Sequence, residues 1–139
     1  MKILITGSNG LLGQKLVYAL AGKPGYDVLA TSKGENRIHL KSGYRYESLD
    51  ITNQQEVSTL FSFEKPDCVI NTAAMTNVDA CEADREGCLA LNVNAVAYML
   101  EACKDFGAHF IHLSTDFVFN GDAGPYSEDD QPDPLSYYA

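Results

Sequence analysis

The chain has 139 residues, of which 45% are hydrophobic and 21% charged, proportions typical of one folded domain and not of a disordered segment. Its formal net charge is −9, and a surface of that sign repels the phosphates of nucleic acids and anionic lipids. No apolar run approaches the roughly 18 residues that a membrane helix needs, and the first residues lack a signal-peptide pattern. We therefore expect a cytoplasmic protein with no nucleic-acid or membrane partner.

Short apolar runs alternate with amphipathic stretches along the chain, a pattern that indicates strand–helix–strand units in a parallel sheet. The predicted strands cover residues 2–6, 27–31, 44–49, 68–71 and 108–113. Helices are predicted over 11–21 and 83–106, and another begins at the capping-box pattern Thr52-x-x-Gln55. Residues 116–139 are predicted to form a loop. These elements predict an α/β fold, a three-layer doubly wound parallel sheet in the order 3-2-1-4-5, which is the NAD(P)-binding Rossmann architecture.

The segment directly after the first strand is the first candidate site, because ligands of such sheets bind beyond the carboxyl ends of the strands. Its glycines have the spacing G-x-x-G-x-x-G. Glycine permits a tight turn and a close approach of phosphates to the main chain, and the following helix points its positive end at them. The predicted cofactor contacts are Gly7, Ser8, Asn9, Gly10, Leu11, Leu12 and Gly13. A plain glycine-rich turn is the alternative.

The end of the second strand indicates which cofactor binds. Enzymes that prefer NAD usually place Asp or Glu there for the ribose 2′-hydroxyl. This chain has no acid at that point, and Ser32 and Lys33 follow, with Arg37 as a further candidate. A hydroxyl and an ammonium suit a 2′-phosphate, so we predict NADPH, with NADH and an ordinary solvated loop as the alternatives.

Two motifs carry a resemblance to a known family. The glycine spacing after Thr6 resembles the extended branch of the short-chain dehydrogenase/reductase superfamily. From Asn71 to Glu82 the chain reads N-T-A-A-x-T-x-V-D-x-x-E, which resembles the dTDP-4-dehydrorhamnose reductases of that branch. The resemblance implies NAD(P)H-dependent reduction of dTDP-4-dehydro-6-deoxy-L-mannose to dTDP-L-rhamnose, an oxidoreductase step that feeds polysaccharide synthesis.

The same resemblance implies further cofactor contacts. Asp50 would accept a hydrogen bond from the adenine amine while Ile51 packs on the ring, although Asp50 equally suits a helix start. Small residues after the fourth strand let the ribose and phosphates lie against the backbone. The residues assigned here are Thr72, Ala73, Ala74 and Thr76, together with Asn92 in the following helix for backbone and proton-relay contacts. A structural amide is the alternative for Asn92.

The fifth strand leads into Ser114–Gly121, which is close to the family signature S-T-D-Y-V-F-D-G with Phe117 and Asn120 in place of the usual Tyr and Asp. Carbonyl reduction needs hydrogen-bond donors for the oxygen that gains charge and a proton donor of suitable pKa. The resemblance assigns Thr115 to that oxygen and Asp116 to the substrate or the developing alcohol. A polar strand end that caps a turn is the alternative for both.

Residues 134–139 resemble the family pattern P-L-x-x-Y-[GA]-x-[ST]-K. This pattern aligns Tyr138 with the proton donor, with Tyr137 as the alternative, and places the family's Lys four residues after Tyr138, beyond residue 139. We therefore expect residues 1–139 to be an NAD(P)-binding domain that stops before the rest of the catalytic motif and a C-terminal substrate domain, with little activity by itself. The full-length protein is a candidate homodimer that acts on a small-molecule nucleotide sugar.

Two other functions fit the same motifs. One is a nucleotide-sugar epimerase or dehydratase of the extended branch, although those enzymes tend to place an acid after the second strand. The other is a non-catalytic NADP-binding regulatory subunit that resembles the one of methionine adenosyltransferase.

The remaining chemistry-bearing residues attract no catalytic role. The four cysteines form no C-x-x-C pair and no His lies at a zinc-type spacing from them, so we expect no metal site and four buried, reduced cysteines. We expect His112 to be a core side chain of the fifth strand. Residues 116–139 contain six acids and no Lys or Arg, which indicates a solvated surface loop.

Overall fold

The structure, a computed structural model, describes residues 1–139. Its strands are β1 Lys2–Thr6, β2 Asp27–Ser32, β3 Arg45–Ser48, β4 Cys68–Asn71 and β5 His109–His112. They form one parallel sheet in the order β3-β2-β1-β4-β5, which confirms the predicted topology. The carboxyl ends of all five strands therefore meet along the same edge of the sheet.

Five helices connect the strands. They are α1 Leu11–Leu20, α2 Gln54–Glu64, α3 Val78–Ala83, α4 Arg85–Leu89 and α5 Ala95–Phe106. A π-helical turn, Ala90–Asn94, joins α4 to α5, so the long helix predicted in this region is present but locally widened. None of the helices is both long and apolar enough to cross a membrane.

The pleat of β1 divides the core between the two faces of the sheet. Leu4 belongs to a cluster with Phe61 of α2 and Met99 of α5. Ile3 belongs to a second cluster with Val17 of α1. Because β1 is central and covered on both faces, its sequence reads as a continuous apolar run, and the helices on both sides fix the strand whose end carries the glycine loop.

The capping box predicted at Thr52 is wrong by one residue. The side chain of Asn53 caps α2 and accepts hydrogen bonds from the amides of Gln55 and Glu56. Thr52 turns instead toward Asp50, whose Oδ1 accepts from both its amide and its hydroxyl. Asn and Thr are both good capping residues, and a nearby carboxylate is the stronger partner for the threonine hydroxyl.

The loop predicted for 116–139 is present, apart from a 3-10 turn at Asp116–Val118, and it begins directly after β5, at residue 113. Asn120 organises this loop, since its Nδ2 donates to Asp133 Oδ2 at 2.8 Å and its Oδ1 accepts from the hydroxyl of Tyr126 at 2.6 Å. The acidic side chains of the loop are all exposed, as predicted for a solvated segment.

β5 is an edge strand with apolar side chains on its surface. Ile111 is 40% exposed, and Leu113, just past the strand, is 46% exposed. The prediction that His112 lies in the core is wrong, because its side chain is exposed at the carboxyl end of β5.

Candidate active site

The glycine loop packs closely against the segment that follows β4. Gly7 has a φ of +69°, and a Cβ built there would lie 2.6 Å from the amide nitrogen of Ala73. A Cβ on Gly13 would overlap the carbonyl oxygen of Gly7. Ser8 is fully buried beneath this turn, and its Oγ has no hydrogen-bond partner. Glycine is therefore required here by the turn and by the close approach of two backbones.

α1 begins without a side-chain cap, unlike α2, α3 and α4. Asn53, Asn77 and Asp84 cap α2, α3 and α4, whereas Gly10 occupies the equivalent position of α1 and offers no acceptor. The first amides of α1 are thus left for an external acceptor, and the positive end of the helix dipole favours an anion there. This start fits the phosphate groups of a dinucleotide.

A cavity of about 320 Å³ lies at the carboxyl ends of the strands. Its lining residues are Gly7, Gly10, Ser32, Lys33, Leu49, Asp50, Ile51, Thr72, Ala73, Ala74 and Leu91. All of them except Leu49 and Leu91 are residues that the sequence predicts as cofactor contacts. The predicted contacts that do not line this cavity are Ser8, Asn9, Leu11, Leu12, Gly13, Thr76 and Asn92. We name this space the cofactor cavity.

Lys33 and Asp50 form an ion pair in the wall of the cofactor cavity. Lys33 Nζ lies 2.6 Å from Asp50 Oδ2, while Asp50 Oδ1 is occupied by Thr52. The bonds from Lys33 and then from Thr52 hold the pKa of Asp50 below its ordinary value, and Asp50 raises the pKa of Lys33. Asp50 is therefore ionised, and both of its carboxylate oxygens have partners. Lys33 places a positive charge in the cavity wall, where the sequence predicts the 2′-phosphate of the cofactor.

Asn9 ties the loop after β2 to the glycine loop. Its Oδ1 accepts from the amide of Arg37 at 2.9 Å, and its Nδ2 donates to the carbonyl of Glu35 at 2.9 Å. Its own amide donates to Ser32 Oγ at 3.0 Å. These contacts hold the segment that carries Ser32 and Lys33 in a fixed position beside the glycine loop.

A second cavity, of about 130 Å³, adjoins the first at Ala74, which lines both. Its other lining residues are Asn92, His112, Leu113, Ser114, Thr115, Val118, Tyr138 and Ala139. It brings together Thr115 and Tyr138, the residues that the sequence predicts for carbonyl reduction. Asp116 does not line this cavity and is exposed. We name this space the reaction cavity.

The hydroxyl of Thr115 caps the 3-10 turn, and the hydrogen bond that it donates is weak. Its Oγ1 accepts from the amide of Phe117 at 3.2 Å, which is the turn-capping role considered as the alternative. The hydroxyl also donates to Asp116 Oδ1 at 3.4 Å, a long distance for such a bond. A carbonyl oxygen in the reaction cavity can therefore compete for this donor.

The structure distinguishes the two neighbouring tyrosines. Tyr138 is half-buried, lines the reaction cavity and meets the ring of Phe117 edge-on, with 6.2 Å between ring centroids. Tyr137 lines neither cavity, and the guanidinium of Arg85 lies over its ring at 4.8 Å. Tyr138 is therefore the phenol placed beside Thr115.

Asn92 lies in the π-helical turn and holds the segment after β4. Its Oδ1 accepts from the amide of Met75 at 2.8 Å, and its Nδ2 donates to the carbonyl of the same residue at 2.9 Å. A π-helical turn redirects side chains within a helix and is frequent at functional sites. Thr76, next in the chain, is exposed and lines neither cavity.

His112 lines the reaction cavity, a position that the sequence did not predict. Its Nδ1 lies 3.1 Å from Asn71 Nδ2. A histidine between apolar strand residues is expected to be a buried core side chain. The available signal was its place at the carboxyl end of a strand, directly before the segment that contains Thr115.

Other features lie away from these cavities. A larger cavity of about 420 Å³ between β3 and α2 contains none of the predicted site residues. The four cysteines are free and buried, as predicted. No group of three or more His, Cys, Asp or Glu side chains is arranged to hold a metal ion.

Sequence comparison identifies relatives across the entire chain. The profile of a family described as RmlD substrate binding domain matches residues 1–139. The dTDP-4-dehydrorhamnose reductase of Aggregatibacter actinomycetemcomitans is 36% identical over 138 residues, which cover 99% of this chain and 42% of that protein. The chain thus spans less than half the length of the curated relatives it matches.

Solved structures agree with this result. A dTDP-4-dehydrorhamnose reductase from Clostridium acetobutylicum has a TM-score of 0.86 at 37% identity, over 99% of this chain and 45% of that one. The UDP-glucuronic acid 4-epimerase of Bacillus cereus, in complex with UDP-4-deoxy-4-fluoro-glucuronic acid and NAD, has a TM-score of 0.85 at 30% identity, over 99% of this chain and 48% of that one. Both matches confirm the predicted fold.

Proposed function

Because the chain belongs to the RmlD substrate binding domain family, which confirms the resemblance to dTDP-4-dehydrorhamnose reductases, we propose that it is the cofactor-binding part of a nucleotide-sugar reductase. The proposed reaction is the NADPH-dependent reduction of dTDP-4-dehydro-6-deoxy-L-mannose to dTDP-L-rhamnose. In this proposal a substrate domain and the family's Lys follow residues 1–139 in the full-length protein.

The meeting of the two cavities at Ala74 carries this proposal. The cofactor cavity adjoins a helix start that suits phosphate groups. The reaction cavity contains a hydroxyl and a phenol, the groups that carbonyl reduction requires. A single extended ligand that occupies both cavities would bring its reactive end beside Thr115 and Tyr138.

Each side chain has a defined task in the proposed reaction. NADPH, when bound, supplies the hydride for the carbonyl carbon. Thr115 Oγ1 donates to the carbonyl oxygen as that oxygen gains negative charge, and Tyr138 delivers the proton to it. Asn92 fixes the backbone of Met75, so that the small residues before it keep the surface on which the ribose lies. The first amides of α1 hold the phosphates.

We propose NADPH in preference to NADH. Ser32 and Lys33 line the cofactor cavity, and no carboxylate stands at the end of β2 to bind a free 2′-hydroxyl. Isothermal calorimetry of the chain with each cofactor tests this preference, and we expect tighter binding of NADPH. Heat from neither cofactor, on a folded sample, would contradict the cofactor site. Tighter binding of NADH would contradict only the preference.

Reductase activity is to be measured in the full-length protein, with a dTDP-linked 4-keto sugar and NADPH. We expect loss of NADPH absorbance together with formation of the reduced sugar. The 139-residue chain should show little turnover, and substantial turnover would refute the proposed division into two parts. A full-length protein that binds NADPH and reduces no such sugar would instead support the non-catalytic regulatory function.

A further inference from the structure

One hydrogen bond joins residues 134–139 to the rest of the fold. It runs from the amide of Tyr137 to Glu82 Oε1 and is 2.8 Å long. The other hydrogen bond of this segment is local. Because the segment carries Tyr138, the direction of that phenol depends on what holds its neighbour.

Glu82 contacts Tyr137 in two ways: it binds the Tyr137 amide directly, and it binds Arg85, which lies over the Tyr137 ring. While Oε1 accepts from the Tyr137 amide, Oε2 pairs with Arg85 Nη2 at 2.7 Å. The guanidinium of Arg85 in turn lies over the Tyr137 ring, in the geometry of a cation–π contact. We call Glu82, Arg85 and Tyr137 the Glu82 clasp. The Tyr137 amide and then Arg85 hold the pKa of Glu82 below its ordinary value, so this carboxylate is ionised at neutral pH.

The Glu82 clasp lies outside the proposed reaction site. Neither Glu82 nor Arg85 lines the cofactor cavity or the reaction cavity, and their side chains are 42% and 62% exposed. Glu82 is the last residue of the motif that carries the family resemblance, yet none of the cofactor contacts uses it. Its contacts in the structure are those of an anchor for the chain that leads into the reaction cavity.

We propose that Glu82 and Arg85 are positioning residues, which hold Tyr137 so that Tyr138 points into the reaction cavity. The anchor is a property of the chain itself, whereas its effect on catalysis rests on the proposed function. Proton transfer requires the donor within hydrogen-bond reach of the carbonyl oxygen. A shift of the segment by one ångström is enough to slow such a step markedly.

Amide exchange in the 139-residue chain tests the anchor. Glu82→Ala removes the acceptor, so exchange of the Tyr137 amide should accelerate roughly tenfold or more. Glu82→Gln keeps an acceptor oxygen and should retain most of the protection. The matched control is Glu86→Ala, since this neighbouring carboxylate is exposed and makes no hydrogen bond to residues 134–139, and it should leave the exchange of the Tyr137 amide unchanged. An unchanged exchange rate in Glu82→Ala would overturn the proposal.

Kinetics of the full-length protein test the effect on catalysis. We expect Glu82→Ala to lower kcat about 10- to 100-fold, with the dissociation constant of NADPH close to that of the wild type, and Glu82→Gln to recover part of kcat. An unchanged kcat alongside accelerated exchange would overturn the positioning role. A wild-type protein that binds NADPH without reducing the sugar would contradict the proposed function, and the exchange data would still decide whether the anchor exists.

Discussion

Gly7 and Gly22 share a backbone conformation but need glycine for different reasons. Their φ angles are +69° and +72°, in the region that other residues rarely adopt. A Cβ at Gly22 would meet nothing within 4 Å, whereas one at Gly7 would lie 2.6 Å from the Ala73 amide nitrogen. Only Gly7 therefore serves the contact between the glycine loop and the segment after β4.

This pair gives a matched test of the close approach. We expect Gly22→Ala to lower the free energy of unfolding by about 1 kcal/mol, the cost of a left-handed residue. Gly7→Ala should lower it by about 2–4 kcal/mol, because overlap with the backbone at Ala73 adds to that cost. Urea denaturation of both variants measures the difference. Equal losses would show that the contact at Ala73 relaxes without cost.

Lys33 is the residue on which the proposed cofactor preference depends most directly. Lys33→Ala removes the cation from the cavity wall, so we expect it to weaken NADPH binding roughly tenfold and to leave NADH binding nearly unchanged. Lys23→Ala is the control, since that exposed lysine lies outside both cavities. A parallel loss for the two cofactors in Lys33→Ala would show that Lys33 does not contact the 2′-phosphate.

The strands and most of the helices could be predicted from the sequence. The details at their ends could not, because these depend on contacts between side chains that local patterns do not reveal. Continuous apolar runs predicted the three inner strands, β1, β2 and β4, which are mostly buried. The edge strands β3 and β5 are mostly exposed, and the predicted strand order came from the doubly wound architecture. The cap of α2 depended on Asp50, which recruits Thr52 and leaves the capping position to Asn53. Tyr137 and Tyr138 have different surroundings because of a contact that the sequence did not indicate, in which the Tyr137 amide donates to Glu82, 55 residues away along the chain.

Glu64, at the end of α2, ties together two strands from a buried position. Its side chain is 4% exposed and pairs with Lys2 of β1 at 2.9 Å and with Arg45 of β3 at 2.7 Å. The hydrogen bond from Arg45 is the main cause that lowers its pKa from the ordinary 4.5 to about 2. The stabilisation from these pairs is therefore present above pH 4.5 and lost as the pH falls from 4.5 toward 2.

We expect this loss to amount to about 1–2 kcal/mol, less than the full linkage value, because the partner cations are partly exposed and screened by solvent. Glu64→Gln should be less stable at pH 7 and should show a flatter decline between pH 4.5 and 2. Denaturation midpoints across this range measure both effects. A decline as steep as that of the wild type would assign the acid sensitivity to other carboxylates.

Net charge is distributed unevenly over the folded chain. Residues 116–139 carry six of the acids and no base, and all six side chains are exposed. This loop leads from β5 to the segment that holds Tyr138. A surface this acidic keeps copies of the chain apart at low ionic strength, and salt screens that repulsion.

Within residues 1–139, β5 pairs with β4 on one side only, and this has a consequence for experiments on the 139-residue chain. With Ile111 exposed beside unpaired backbone groups, we expect copies to associate edge to edge as added salt screens their repulsion. Ile111→Lys should suppress this association. Phe63→Lys, which removes an exposed apolar side chain from α2, is the control and should not.

Sedimentation velocity at low and high salt separates these cases, and equal suppression by both variants would make the association a general effect of charge. Ile111 lines neither cavity, so its replacement is compatible with every binding measurement described above. Titrations with NADPH should therefore be made with dilute protein in low-salt buffer, where we expect the chain to be monomeric.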